Sequence, residues 1–229
     1  PSNGLLGYWQ FDEDAGDATL DSYLGQGGTL NNFDGNQWVV GKQGNALSFD
    51  GANDYLVLPV SSHPKGTDTQ ASFAFWSNGG TKLPRNSSVL ESGAGDRVFN
   101  IHHPWSNSQI YWDAAGNRIN KAAIAAEFKG EWVHWTFTIN RTSGAQKIFK
   151  NGVAWHQGTN KKAAWAQATL FHVGASLTKT NFWHGMIDDL AIYNRVVTPP
   201  EIQKLMAGMS ILDTSVPGTF LVTYSVSDS

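Results

Sequence analysis

Between Arg97 and Asp113 the chain reads Arg-Val-Phe-Asn-Ile-His-His-Pro-Trp-Ser-Asn-Ser-Gln-Ile-Tyr-Trp-Asp. That one segment holds Asn100, His102, His103, Trp105, Tyr111, Trp112 and Asp113, and Arg118 and Asn120 follow closely. Sugars present flat apolar C–H faces ringed by hydroxyls. A sugar site therefore needs an aromatic platform beside groups that donate and accept hydrogen bonds. The segment supplies both, as a strand, a Pro-Trp-Ser-Asn-Ser turn and a second strand, and is expected to bind an oligosaccharide or polysaccharide. Trp105, in the turn after Pro104, is the aromatic least explained by packing. The same alternation also has a plain structural reading, with Phe99, Ile101, Ile110 and Trp112 facing a core and the polar residues facing water.

Ten tryptophans are more than packing normally needs. Three of them pair with histidines: Trp132 with His134, Trp155 with His156, and Trp183 with His184. Gathered by one concave sheet, these would line a groove with the Trp105 hairpin, and Trp155 and His156 are counted among the candidate ligand-binding residues. Taken singly, each Trp suits a core and each His a strand end in water.

The carboxylates suggest less. Sandwich glycosidases set two of them about 5–10 Å apart across the sugar. Asp188 and Asp189 are neighbours, so on a regular strand they point to opposite faces, and no Glu-x-Asp-x-x-Glu pattern occurs. His102 and Tyr111 could serve as base and acid of a lyase, although nothing in the sequence brings them together. His102 and His103 also point oppositely on a strand, which argues against a zinc site. Asp12 and Asp188 stand at corresponding places near the two ends of the chain. If those ends pair, the two carboxylates converge, and such hard oxygens suit calcium. No nucleophile elbow, phosphate loop or dinucleotide fingerprint is present.

The elements that must position these residues are short. Candidate strands run over 5–11, 46–49, 55–58, 72–77, 89–91, 98–102, 109–112, 132–139, 147–150, 153–156, 169–173 and 184–193, separated by Gly, Asn and Asp clusters. Asn151-Gly152 inside Lys147–His156 marks a type I′ hairpin, because both positions need positive φ. Along 132–139, Val133, Trp135, Phe137 and Ile139 share one face, while Trp132, His134, Thr136 and Thr138 share the other. One helix is clear: Thr198 caps it, Pro199 opens it, Glu201 closes a capping box and Gly208 ends it. The alanine-rich piece Lys121–Glu127 is expected to add a turn or two of helix.

With 229 residues and 41% apolar content the chain can fill one large all-β domain. Charged residues make up only 15% of it and the net charge is −3, so no basic field invites nucleic acid or an anionic membrane. No apolar run approaches the length of a membrane span. The absence of cysteine rules out disulfides and thiolate chemistry. The opening Pro1-Ser2-Asn3 has the look of a domain boundary, with adjacent domains expected in a larger protein. The tail from Ser210 to Ser229 differs in character: a turn followed by an alternating strand, similar to the end of a bacterial immunoglobulin-like repeat. Residues 1–209 are thus expected to form the main domain and 210–229 an extra β tail.

Several ordered motifs resemble one family. Gly7-Tyr-Trp-Gln-Phe-Asp-Glu13, Asp21-Ser22 and Gly44-Asn-Ala-Leu-Ser-Phe-Asp-Gly-Ala-Asn-Asp-Tyr-Leu56 with its following strand look like the opening third of a laminin-G-like, concanavalin A-like domain. Ser72-Phe-Ala-Phe-Trp76 is similar to its central strand, and Gly185-Met-Ile-Asp-Asp-Leu-Ala-Ile-Tyr-Asn-Arg195 with the Pro-Glu-Ile helix to its ending. The resemblance implies an all-β, two-sheet antiparallel jelly roll with one short C-terminal helix. It also implies a noncatalytic carbohydrate-binding module of a secreted or cell-surface bacterial protein. A structural calcium would be held by Asp188 with Asp12 and a carbonyl near Gly51. Two other roles are open: a structural or protein-binding adhesin domain, and a polysaccharide hydrolase or lyase on the same sandwich. Fold by itself does not choose among them.

Overall fold

The computed structural model describes residues 3–208, and the tail expected over 210–229 lies outside them. Two antiparallel sheets face each other. Sheet A runs β14 (Val153–Gly158), β13 (Ala145–Lys150), β12 (Val133–Asn140), β7 (Gln70–Gly79), β16 (His184–Tyr193), β5 (Asn45–Asp50) and β4 (Trp38–Val40), with β1 (Leu5–Trp9) also on β16. Sheet B runs β11 (Asn117–Ala122), β10 (Gln109–Ala114), β9 (Asp96–His102), β8 (Leu90–Ala94), β15 (Leu170–Val173), β6 (Tyr55–Val57), β3 (Gly27–Asn31) and β2 (Ala18–Leu20). The expected jelly-roll sandwich is therefore present. Its first and last strands pair, from Leu5 with Tyr193 to Trp9 with Leu190.

The core between the sheets is largely aromatic. Trp9, Phe73, Phe99, Trp112, Trp135, Phe137 and Trp183 are all fully enclosed. Rings meet across the sheets, as where Phe73 sits edge-on to Trp112 with centroids 5.6 Å apart, a favoured aromatic geometry. Val133, Trp135, Phe137 and Ile139 all enter this core, so the alternation along β12 is as expected. Asn151 (φ 49°) and Gly152 (φ 76°) make the β13–β14 turn in the left-handed conformation that Asn-Gly favours.

The helix α1 spans Pro199–Met206 and covers a smaller cluster outside sheet A, formed with Leu5, Tyr8, Ala74, Phe149 and Tyr193. Its capping box is complete: Glu201 Oε2 accepts the Thr198 amide at 2.7 Å and the Thr198 hydroxyl at 2.9 Å. Arg195 grips the same carboxylate with two nitrogens at 2.6 and 2.9 Å, and that guanidinium is the main reason Glu201 is held down to about 2. The alanine-rich piece differs from expectation. Lys121 and Ala122 finish β11, and only Ala125–Glu127 turn, as a single 3-10 turn.

Candidate functional site: a polar strip and an aromatic cavity on sheet B

The hairpin of β9 and β10 sets Tyr111 opposite His102 and Asp113 opposite Asn100. On the flanks, Glu91 of β8 stands opposite Asn100, and Arg118 of β11 stands opposite Asp113. Because strand side chains alternate, Phe99, Ile101 and Trp112 go inward while Asn100, His102, Tyr111 and Asp113 line the outer face. A polar strip thus crosses four strands of sheet B.

Its floor is buried. Asn100 donates to Glu91 Oε2 and, at 3.2 Å, to the Ser88 hydroxyl. The His102 Nδ1 lies 2.8 Å from the Ser87 carbonyl, which takes the proton of that nitrogen and leaves Nε2 with its lone pair. Burial lowers the His102 pKa; the Ser87 carbonyl and Asp113 act the other way, so the ring is neutral at neutral pH. Asp113 receives a two-toothed bond from Arg118, with Nε and Nη2 each at 2.6 Å. Arg97 Nε stands 3.5 Å from Glu91.

Above the floor lies an open cavity of about 240 Å³ lined by Arg97, His102, Trp105, Tyr111 and Arg118. The half-buried Trp105 ring packs on His102 with centroids 4.3 Å apart, and Tyr111 meets His102 edge-on at 5.8 Å. The Arg118 guanidinium sits over the Tyr111 ring, 5.2 Å from its centroid. The turn that carries Trp105 is fixed by its own backbone, with the Trp105 amide donating to Gln109 and the Ser108 amide to Trp105, each at 2.9 Å.

Of the residues expected from the sequence, His102, Trp105, Tyr111 and Arg118 meet in this cavity, with Asn100 and Asp113 beneath them. His103 and Trp112 do not belong there. Both are fully buried on the core side, where His103 packs against Phe75 and Trp135 and neither of its ring nitrogens has a hydrogen-bond partner. Burial lowers the His103 pKa to about 3. β9 ends at His102, but His103 still falls on the inward side that alternation gives it, two residues on from Ile101, and fills the core under the turn. Glu91 and Arg97 belong to the site and were not expected. Glu91 sits in a short strand with little pattern, and Arg97 reaches the outer face beside the register shift between Ser92 and Gly93.

The tryptophan–histidine pairs do not gather. His134 is buried on the outer face of sheet A against Trp76, on the far side of the sandwich from Trp105. Trp183 is core and donates to the His103 carbonyl at 2.6 Å. Trp155 and His156 lie on the edge strand β14, where Trp155 packs edge-on against Trp135, donates to Glu127 at 3.0 Å and carries Lys121 over its ring. Neither of these two lines the cavity. Six of the ten tryptophans are buried outright, which accounts for most of the excess.

The aspartates of β16 sit at a second place. A register shift there, with Asp189 at φ 54°, sends both Ile187 and Leu190 into the core and keeps both aspartates out of it. The opposed directions expected of neighbours on a regular strand are thereby cancelled. Asp188 Oδ2 accepts the Lys42 amide at 2.7 Å and the Gln43 amide at 2.9 Å, and the Tyr8 hydroxyl donates to Asp189 Oδ1. Asp188 Oδ1 and Asp189 Oδ2 are buried without a hydrogen-bond partner. Burial pushes Asp188 up to about 7, helped by Asp189 and Asp12 and opposed by the two turn amides. Burial likewise raises Asp189 to about 6, against the pull of Tyr8. Asp12 binds the Asn45 amide at 2.8 Å across the same turn. Gly51 is at the other end of β5, and its carbonyl accepts a bond from Arg85, so it is not part of this cluster. Two unsatisfied carboxylate oxygens fit a hard cation. Among the described residues, however, no group of three or more His, Asp or Glu is arranged for a metal.

Comparison with known structures places the fold among lectin-like sandwiches. Domain 4 of an extracellular arabinanase from Geobacillus stearothermophilus, solved in complex with arabinotriose, superposes with a TM-score of 0.64 at 23% identity, covering 88% of this chain and 98% of that one. The receptor-binding domain of a botulinum neurotoxin C/D mosaic serotype gives 0.68 at 14% identity, over 90% of this chain and 51% of that one. Trypanosoma rangeli sialidase in complex with sialic acid gives 0.68 at 15%, over 90% of this chain and 33% of that one. This chain thus spans about half of the toxin domain and a third of the sialidase. No significant match is found among curated protein sequences. A family model does match residues 50–203, well over half of the chain, and the chain belongs to the concanavalin A-like lectin/glucanases superfamily in its laminin-G-like form.

Proposed function

We propose that this domain is a noncatalytic carbohydrate-binding module that takes an oligosaccharide or polysaccharide in the cavity on sheet B. It would act as an accessory domain within a larger secreted or cell-surface protein of bacterial type. The observation that carries the reading is the half-buried Trp105 ring, held against His102 beside Tyr111 and two guanidinium groups. A flat apolar face next to fixed donors is what a sugar ring requires. The arabinotriose bound by the arabinanase domain supports the ligand class by likeness of fold alone.

Binding to a glycan array, followed by titration of the best ligand into wild type, Trp105→Ala and His102→Ala, tests the proposal. It expects binding by wild type and loss with Trp105→Ala. Failure to bind any glycan would favour the adhesin role, which the scatter of the three tryptophan–histidine pairs already suits. An enzymatic role has one observation behind it, the proximity of His102 and Tyr111, whose rings lie 5.8 Å apart in the same cavity. Release of unsaturated oligosaccharides by the isolated domain would establish it.

We also propose calcium as a structural ion, held by Asp188 and Asp189 with Asp12 beside them. Its binding would add stability as RT ln(1 + [L]/Kd). A thermal midpoint that does not change between millimolar calcium and chelator would count against it.

A further inference from the structure

The five residues that line the cavity include two cations, Arg97 and Arg118, and no carboxylate. Their counter-charges lie underneath. The Arg97 side chain is 45% exposed and that of its partner Glu91 is 6% exposed; for Arg118 and Asp113 the figures are 52% and 11%. Each carboxylate therefore works from behind as a tether, while the guanidinium faces solvent at the cavity mouth. Arg118 spends Nε and Nη2 on Asp113, which leaves the donors of Nη1 for a ligand. Arg97 directs Nε toward Glu91, and its two terminal nitrogens remain. The Tyr111 ring beneath Arg118 fixes the plane of that guanidinium further. Arg118, held in this way, has lost side-chain freedom before a ligand arrives, which lowers the entropy cost of binding, while Arg97 is drawn toward Glu91 by one longer contact of 3.5 Å. Planar forks match the geometry of carboxylates and other oxyanions.

From this arrangement we infer that the ligand is an anionic glycan, whose carboxylate or sulfate group lies between Arg97 and Arg118 while a sugar ring packs on Trp105. The inference rests on the glycan-binding reading above and narrows it to a charge class. A neutral glycan would offer the remaining N–H donors only hydroxyl acceptors, which form weaker bonds than a charged oxyanion does.

Calorimetric titration of the domain with trigalacturonic acid, with its methyl ester, with a sulfated galactotriose and with galactotriose itself tests it. The free acid is expected to bind at least about tenfold more tightly than the ester, because charge-assisted bonds are about twice as strong as neutral ones. That preference should shrink as salt is raised. Arg97→Gln and Arg118→Gln should each weaken the free acid by about tenfold or more and narrow its advantage over the methyl ester. Thermal unfolding of both variants monitors any loss of fold from an untethered Asp113. Tighter binding of the sulfated trisaccharide than of the uronate would support the inference, with sulfate as the anion. Equal affinity for acid and ester, or an Arg97→Gln variant that binds the acid as wild type does, would overturn it and leave glycan binding standing. Absence of binding by all four would overturn both.

Discussion

Replacing Asp188 by asparagine tests how the paired ends of the chain are held. Asp188 is 0% exposed and its carboxyl titrates at about 7, against 3.8 for an ordinary aspartate. A carboxyl raised in this way favours folding while it is protonated. Its contribution is therefore fully present below pH 3.8 and is lost as pH rises through about 7. The difference of about three units, at ~1.4 kcal/mol each, amounts to roughly 4 kcal/mol of destabilisation in the ionised form. Asparagine cannot ionise, and its oxygen can still accept the Lys42 and Gln43 amides. In chelator, Asp188→Asn should match wild type near pH 4 and exceed it by up to about 4 kcal/mol near pH 8. Urea unfolding of both proteins at intervals from pH 4 to 8 reads this, since groups that do not feel the Asp188 charge cancel in the difference and only Asp189 and Asp12 add to it. A difference that does not vary with pH, or a variant less stable than wild type at pH 8, would refute the reasoning. Calcium should reverse the sign: if the ion binds, wild type gains and the variant does not.

Four further outcomes are expected. His103→Leu should gain on wild type by about 1.4 kcal/mol per pH unit as pH falls below 6.5, because the buried imidazole must stay neutral down to about 3; urea unfolding from pH 7 to 4 checks this. Glu201→Gln should cost about 2–3 kcal/mol at pH 7, with the difference disappearing as wild-type Glu201 protonates between 4.5 and about 2, visible in acid denaturation profiles. Trp105→Ala should abolish measurable glycan binding while moving the unfolding midpoint little, since its ring is half-buried. Trp112→Ala, by contrast, should cost about 3–5 kcal/mol in denaturant unfolding through the cavity it leaves in the core.

The parts legible from the sequence are those where local chemistry and tertiary structure agree. The Asn151-Gly152 turn, the Thr198 capping box and the inward alternation of Val133 to Ile139 each follow from nearest-neighbour rules. Strands β2, β3, β4 and β11 were not anticipated. Gly27-Gly-Thr-Leu-Asn31 and Asn117-Arg-Ile-Asn-Lys-Ala122 have the composition of turns and become strands because a neighbour offers hydrogen bonds. In the site, alternation separated Asn100, His102 and Tyr111 from Phe99 and Ile101. It could not tell which of two outer faces a strand would present, so whether Trp132 and His134 join Trp105 stayed open until the fold put His134 on the opposite sheet. The register shifts at Ser92–Gly93 and Asp188–Ala191 rearranged the rest, as bulges redirect side chains in ways that period-two counting does not foresee.

Strand β16 has a consequence for how the molecule is made. It lies in the middle of sheet A, bonded to β7 along one edge and shared between β5 and β1 along the other, yet it comes after every other strand among the described residues. A ribosome therefore releases all fifteen other strands of the described residues before the one that joins β1 and β5 to β7. Until then β7 and β5 each keep an open edge, the kind of surface that invites pairing with another chain. Closure must also bring together residues as far apart as Leu5 and Tyr193, a long loop that slows folding. The nascent domain is thus most exposed to aggregation just before its last strand emerges, and truncations that end short of His184 should accumulate as insoluble protein.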